Sequence, residues 1–283
     1  MITETRVCHG GVHTRVLSVQ GDGTPVVLLH GYADSADTWR ALLALFDNAG
    51  RAAIAVDLPG FGKADRRAAG PILPQLDSFI DALLEESDRP LVLMGNSLGA
   101  CVSVRAAARR PNRVEAVITV DEPILADHWV ARYVRRRRAP RLPSLLLAGA
   151  RVPRRPLEYS VELVFKRLLY SEPSAADPAV IARWVESVPD SRALAGLANG
   201  AIAVARETRT GYSGMTIECP TLIVHGAKDV IIPVASSRML HALIPNSELV
   251  VMPKSGHCPQ LDDPAGLAEI VLPFLSNRAG AGR

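Results

Sequence analysis

Short apolar runs that end in turn residues alternate along this chain with stretches in which apolar side chains recur every three or four positions. Runs at 26–29, 53–56, 91–94, Val114–Val120, 222–224 and 249–252 predict strands. Runs as continuous as Val26-Val27-Leu28-Leu29 suit strands buried on both faces of a parallel sheet. Leu73, Leu76, Phe79, Ile80, Leu83 and Leu84 fall on one helical face, which predicts an amphipathic helix over 74–87. A second helix is expected over Leu98–Arg109, stopped by Pro111. Val12–Val19 alternates like an antiparallel edge strand. This order of strands and helices specifies the α/β class, a mostly parallel, doubly wound sheet.

The rhythm breaks after residue 121. From Glu122 to about Met215 there is no clear strand pattern, and strand–turn–helix order resumes at Thr221. An insertion of roughly 90 residues is too long for a plain loop. We therefore expect residues 1–121 and 216–283 to form the sheet domain and 122–215 an inserted helical cap.

Composition narrows the class. With 283 residues, 48% of them hydrophobic and 22% charged, the chain can bury a substantial core and is neither disordered nor fibrous. No apolar run approaches the ~20 residues of a membrane span, and the polar start lacks the pattern of a secretion signal. Cys8, Cys101, Cys219 and Cys258 stand far apart, which suits a reduced cytoplasm better than a disulfide framework and offers no metal-binding pattern. Net charge is +3, yet the insertion carries 15 Lys and Arg against 9 Asp and Glu.

The most informative stretch is Leu91-Val92-Leu93-Met94-Gly95-Asn96-Ser97-Leu98-Gly99-Ala100, a buried strand that runs through Gly-x-Ser-x-Gly straight into a helix pattern. A serine at such a junction sits in a sharp, strained turn above the sheet, near a helix N-terminus whose N–H groups favour developing negative charge. The competing reading is a tight glycine turn with a capping serine. An activated serine needs a base. Of seven histidines, His257 stands apart, in the loop after the last strand and before the final helix. Such a loop at the carboxyl edge of a parallel sheet faces the same crevice as Ser97. The base needs a carboxylate to hold its tautomer. Asp229, just past the penultimate strand, is the candidate, and Asp121, at the end of Val114–Val120, is the rival. Asp121 could instead cap the first turn of the insertion. Where the strand 26–29 breaks into His30-Gly31-Tyr32, the Tyr32 N–H could join that of Leu98 around an oxyanion. The Tyr32 side chain is then free to line or cover an acyl pocket, and His30 braces the loop.

These motifs together resemble the α/β-hydrolase superfamily over nearly the whole length. His30-Gly31, Asp57-Leu58-Pro59-Gly60-Phe61-Gly62, Gly95 to Gly99, Asp229 and Gly256-His257 follow that family's order. The resemblance implies the α/β-hydrolase fold with a helical cap and a serine esterase-like or lipase-like activity on a small-molecule ester or thioester, with no cofactor. It also leaves acyl transfer, perhydrolysis, carbon–carbon cleavage and a non-catalytic binder as alternatives. Relatives that are dehalogenases or epoxide hydrolases carry aspartate where this chain has Ser97. The Ser-Gly-Pro-Gly type of loop seen in carbon–carbon hydrolases is replaced by Tyr32-Ala33-Asp34-Ser35, although Gly95-Asn96-Ser97 resembles their elbow too.

Arg132, Arg135, Arg136, Arg137, Arg138 and Arg141 form a basic run before an apolar stretch at 142–150, and Arg151, Arg154 and Arg155 follow. We read this as a cap helix with a solvated charged face. The alternative is a flap whose apolar side meets an acyl chain or a lipid surface with arginines toward anionic head groups. Nothing accompanies the run to suggest nucleic-acid binding. Cys101 is expected to pack beneath the elbow. Cys258 is read as a filler, or else as a redox-sensitive neighbour of the site. Trp39, Trp129, Trp184 and Phe165 are expected to serve packing first.

Overall fold

The computed structural model describes residues 1–126 and 152–279. Its strands are β1 (Thr3–His9), β2 (Val12–Val19), β3 (Asp22–Leu29), β4 (Arg51–Val56), β5 (Leu91–Asn96), β6 (Val114–Val120), β7 (Thr221–Gly226) and β8 (Ser247–Met252). They form one sheet in the order β1-β2-β4-β3-β5-β6-β7-β8. All neighbours from β4 to β8 are parallel, and β2 runs antiparallel to both β1 and β4. The helices among the described residues are α1 (Arg40–Asn48), α2 (Ile72–Glu85), α3 (Leu98–Arg109), α4 (Arg154–Leu169), α5 (Pro178–Glu186), α6 (Ser191–Glu207), α7 (Ala235–Leu243), α8 (Pro259–Asp262) and α9 (Pro264–Ala279).

The apolar runs split by parity into two cores. Val27, Leu29, Leu93 and Val117 face one side, under the α2 stripe of Leu76, Phe79, Ile80 and Leu83 and under Cys101 and Val102 of α3. Val26, Leu28, Val92, Met94 and Ile118 face the other, against Leu42, Leu43 and Phe46 of α1 and Leu267, Val271 and Phe274 of α9. Each such side chain removed from water contributes on the order of 2 kcal/mol, so the parallel strands are held from both sides.

Several strands extend a few residues beyond the expected runs, and the first strands and α2 depart further from the sequence reading. β2 is not an edge strand, because β1 pairs along its whole length. The mostly exposed side chains of β1 give it no apolar face to be read from sequence. α2 begins at Ile72 and not at 74. Its N-terminal residue Pro71 supplies no side-chain cap. The carboxylate of Glu207, at the end of α6, accepts from the N–H groups of Ile72 and Leu73 at 2.9 and 2.7 Å and does that work from 134 residues away.

Between β6 and β7 the described residues form α4, α5, α6 and a short 3₁₀ turn at Pro173–Ala175, with no strand among them. Trp129, His128, the arginines from Arg132 to Arg151 and the apolar stretch 142–150 lie outside the described residues. Among the described residues no helix is long and apolar enough to cross a membrane.

Both described flanks of this segment close on Glu122, which is fully buried. One carboxylate oxygen accepts from the Ile124 N–H at 2.7 Å and the Tyr212 hydroxyl at 2.8 Å. The other accepts from the Ser236 hydroxyl at 2.9 Å, which in turn accepts from the N–H groups of Leu125 and Ala126. Burial outweighs these donors and pushes the carboxyl up from 4.5 to about 7. Between those two values the folded chain holds a proton that the unfolded chain has lost, so stability falls as pH rises through this window. Glu122→Gln is therefore expected to flatten the decline of thermal stability between pH 5 and 8. Parallel melts of the variant and the parent chain across that range measure the difference.

Candidate active site

The site is built where β5 meets α3. A Cβ on Gly95 would lie 2.1 Å from the Gly99 carbonyl carbon, and one on Gly99 would lie 2.1 Å from the Leu29 carbonyl oxygen. Strand and helix approach this closely only because neither position carries a side chain. The turn puts Ser97 at φ +53, ψ −113, with its N–H bonded to the Val120 carbonyl at 2.8 Å. Its side chain is half-buried and does not cap α3, so the capping alternative fails. Leu98 opens α3, and its N–H is one of those a helix cannot satisfy internally.

The His30-Gly31-Tyr32 loop passes over this turn. A Cβ on Gly31 would stand 3.5 Å from the Ser97 Cβ and 3.2 Å from the Asn96 side-chain oxygen. His30 is a brace, fully buried. Its Nδ1–H donates to the Gly31 carbonyl at 2.8 Å and its Nε2 accepts from the Leu58 N–H at 2.9 Å. Burial lowers its pKa, in keeping with the neutral ring those two bonds require. The Asp57–Gly62 stretch is likewise structural. The buried Asp57 carboxylate accepts from Arg15 at 2.8 Å and from the N–H groups of Ala36 and Lys63 at 2.7 and 2.8 Å. Gly62, at φ +52, leaves room for it.

His257 lies between β8 and α8, and its Nδ1–H donates to Asp229 Oδ2 at 2.7 Å. The other Asp229 oxygen accepts from the N–H groups of Ile231 and Ile232 at 2.7 and 2.9 Å. Burial works to raise this carboxyl, but the charge and hydrogen bond of His257 and the two amides outweigh it and hold it below the ordinary value. The imidazole loop is fixed at several points. The Asn96 side-chain amide donates to the His257 carbonyl at 2.9 Å, the Cys258 N–H to the Leu169 carbonyl at 3.2 Å, and the Gly256 N–H to Asp262 at 2.6 Å. Sequence reasoning missed Asn96 and Asp262. Asn96 stands inside the Gly-x-Ser-x-Gly motif, and Asp262 had no signal.

Asp121 does not take the place of Asp229. It accepts from the Gly226 N–H at 2.9 Å and stands 3.3 Å from Nε2 of the buried His225, whose own proton goes to the Ile232 carbonyl. It therefore does not cap the insertion either. Burial first, and then the charge of Asp229, push its carboxyl well above the ordinary value. One ligand atom each of Asp121, Asp229 and His257 lies within 4.8 Å of the others, the spacing a metal ion would need. Those on His257 and Asp229 are already joined by the hydrogen bond above. Cys258 is buried with its thiol pKa raised by that burial, which leaves it a filler and not a redox-sensitive neighbour. Cys101 and Trp39 are core residues, and Trp184 stacks on Phe165 at 4.4 Å.

A family model described as the alpha/beta hydrolase fold matches residues 24–264. A pimeloyl-[acyl-carrier protein] methyl ester esterase of Aeromonas hydrophila is 28% identical over 266 residues, covering 90% of this chain and 96% of that protein. The dihydrolipoyllysine-residue acetyltransferase component of the acetoin cleaving system of Pseudomonas putida is 29% identical over 279 residues, covering 94% of this chain and 67% of that protein. Among solved structures, one of a putative lipase from Acinetobacter baumannii superposes with a TM-score of 0.80 at 20% identity, over 99% of this chain and 93% of that one.

The glycine contacts at the elbow carry a stability prediction. Gly99→Ala must displace the backbone at Leu29 and is expected to cost about 3 kcal/mol or more in urea unfolding. Gly196→Ala on α6, where a Cβ meets nothing within 4 Å, should be neutral or stabilising by up to about 1 kcal/mol.

Proposed function

This chain belongs to the alpha/beta hydrolase family, and from that premise we propose that it is a serine hydrolase of carboxylic esters or thioesters with small-to-medium apolar acyl groups. Ser97 attacks the acyl carbonyl while Nε2 of His257 takes its proton. Asp229 holds the other ring nitrogen and stabilises the imidazolium. The oxyanion rests on the N–H groups of Tyr32 and Leu98. The alcohol leaves with the proton from His257, and water then resolves the acyl-enzyme through the same groups. No cofactor enters this scheme. The helices between β6 and β7 act as the cap over the site.

One observation carries the reading. The 2.7 Å bond from His257 to Asp229 fixes which imidazole nitrogen is free, and the side chain of Asn96, the residue before Ser97, donates to the His257 carbonyl. The methyl ester esterase of Aeromonas hydrophila supports ester chemistry by similarity. A second reading, acyl transfer at the same serine to an acceptor other than water, draws support from the acetyltransferase component of Pseudomonas putida. Product analysis with and without alcohol or thiol acceptors separates the two.

Ser97→Ala is expected to lower kcat on p-nitrophenyl esters by about 10⁴-fold or more with its unfolding curve little changed. A fluorophosphonate probe should label the parent chain at Ser97 and leave the variant unlabelled. The two aspartates should separate as well. Asp229→Asn is expected to lose at least about 10³-fold in kcat. Asp121→Asn, at a position where burial and the charge of Asp229 disfavour an ionised carboxyl, should lose less than about tenfold. The opposite ranking would move the acid to Asp121.

A further inference from the structure

Tyr32 belongs to the loop over Ser97, yet its side chain leaves the sheet domain. The phenol hydroxyl donates to the Leu197 carbonyl in the middle of α6 at 2.7 Å, and the ring packs edge-on against Phe61 at 5.3 Å. It is therefore not free to line an acyl pocket. Opposite the hydroxyl stands Gly200, where a Cβ would lie 2.1 Å from the phenol oxygen and 3.1 Å from the ring carbon that bears it. Glycine is a poor residue for a helix interior, and here it lets a side chain from another element reach the helix backbone. Gly196, one turn earlier on α6, has open space, so the close fit belongs to Gly200 alone of the two. His30 holds the loop at the Gly31 carbonyl on one side of Tyr32, and Ala33, which follows, stands at φ +59, so the phenol contact is the hold on the loop that comes from α6.

We propose that the Tyr32–Leu197 contact, admitted by Gly200, is a latch through which α6 positions the Tyr32 main-chain N–H over Ser97, so that the oxyanion pocket is complete only while α6 is docked. Tyr32 thereby gains a positioning role for its side chain in addition to the donor role of its backbone. A substrate whose acyl group displaces α6 lifts the donor away, which makes kcat, and not only KM, depend on acyl length. The proposal rests on the serine hydrolase reading above.

The test is a cycle of Tyr32→Phe, Gly200→Ala and the double variant, each first shown to be labelled at Ser97 by a fluorophosphonate. Kinetics on p-nitrophenyl butyrate, inhibition by a trifluoromethyl ketone and melting temperature are then measured. Losing an oxyanion donor outright costs 10²–10³-fold, and a displaced donor part of that. Tyr32→Phe is therefore expected to lower kcat about tenfold, to weaken the ketone by a similar factor and to leave KM within about twofold. Gly200→Ala should do at least as much. Adding it to Tyr32→Phe should cost less than about twofold more, because the oxygen it strikes at 2.1 Å is gone and the ring carbon at 3.1 Å need give way by only a few tenths of an ångström. An unchanged kcat in Tyr32→Phe overturns the latch, as do losses that multiply in the double variant or that follow melting temperature alone. Failure of the hydrolase reading looks different, since the parent chain would then not be labelled at Ser97 or Ser97→Ala would keep its activity.

Discussion

The contact that everything else here depends on is the approach of α3 to the ends of β3 and β5. Gly95 and Gly99 let the helix axis come so near the sheet that the single residue able to turn the chain, Ser97, must take a positive φ. A non-glycine residue held there stores on the order of 1–3 kcal/mol. That strain persists because β5 is buried on both faces and cannot relax without opening both cores. Ala33 and Asp121 are the other non-glycine residues with positive φ among the described residues, and both follow strands beside β5 or a loop that crosses it. Backbone strain is thus concentrated around one serine.

The polar groups gathered at this edge coexist because each has a settled protonation state. Two buried carboxyls as near as Asp121 and Asp229 cannot both be ionised in a poorly solvated interior. Asp229 receives an imidazole N–H and two amide N–H groups, whereas Asp121 receives one amide, so the charge resides on Asp229. His225 stays neutral, with burial lowering its pKa, and spends its proton on a backbone carbonyl. Asp229 is therefore the carboxylate that faces His257. The same economy is seen at Arg15, which is buried between the carboxylates of Asp37 and Asp57 and locks the loops that carry the neighbouring turns.

What could be read from the chain follows from how local each cause is. β6 and α3 have the bounds expected of them, because apolar runs and helical periodicity are written within a few residues. Ser97, Asp229 and His257 could be singled out as candidates because each follows the end of a strand that a parallel sheet sets beside the others, and of these the structure joins His257 to Asp229. β1 was not legible, since an exposed strand has no periodic apolar face. Nor was the start of α2, capped by a carboxylate from α6. The partner of Asn96 lies 161 residues away and that of the Tyr32 hydroxyl 165, and no composition or spacing encodes such pairs.

Those long pairs bear on how substrate reaches the site. Residues 169–171, at the end of α4, hold the histidine loop through the Leu169 carbonyl and through the Ser171 N–H, which donates to Asp262 at 3.0 Å. α6 holds the opposite loop through Tyr32. The helices between β6 and β7 are thus tied to both sides of Ser97 at once. A rigid swing of α4 and α6 away from the sheet would break the contacts that orient the proposed base and the proposed oxyanion donor together. An opening of that kind would admit substrate to a disassembled site, and catalysis would have to wait for closure. On the proposed mechanism, selection of the acyl group and assembly of the chemistry would be the same event.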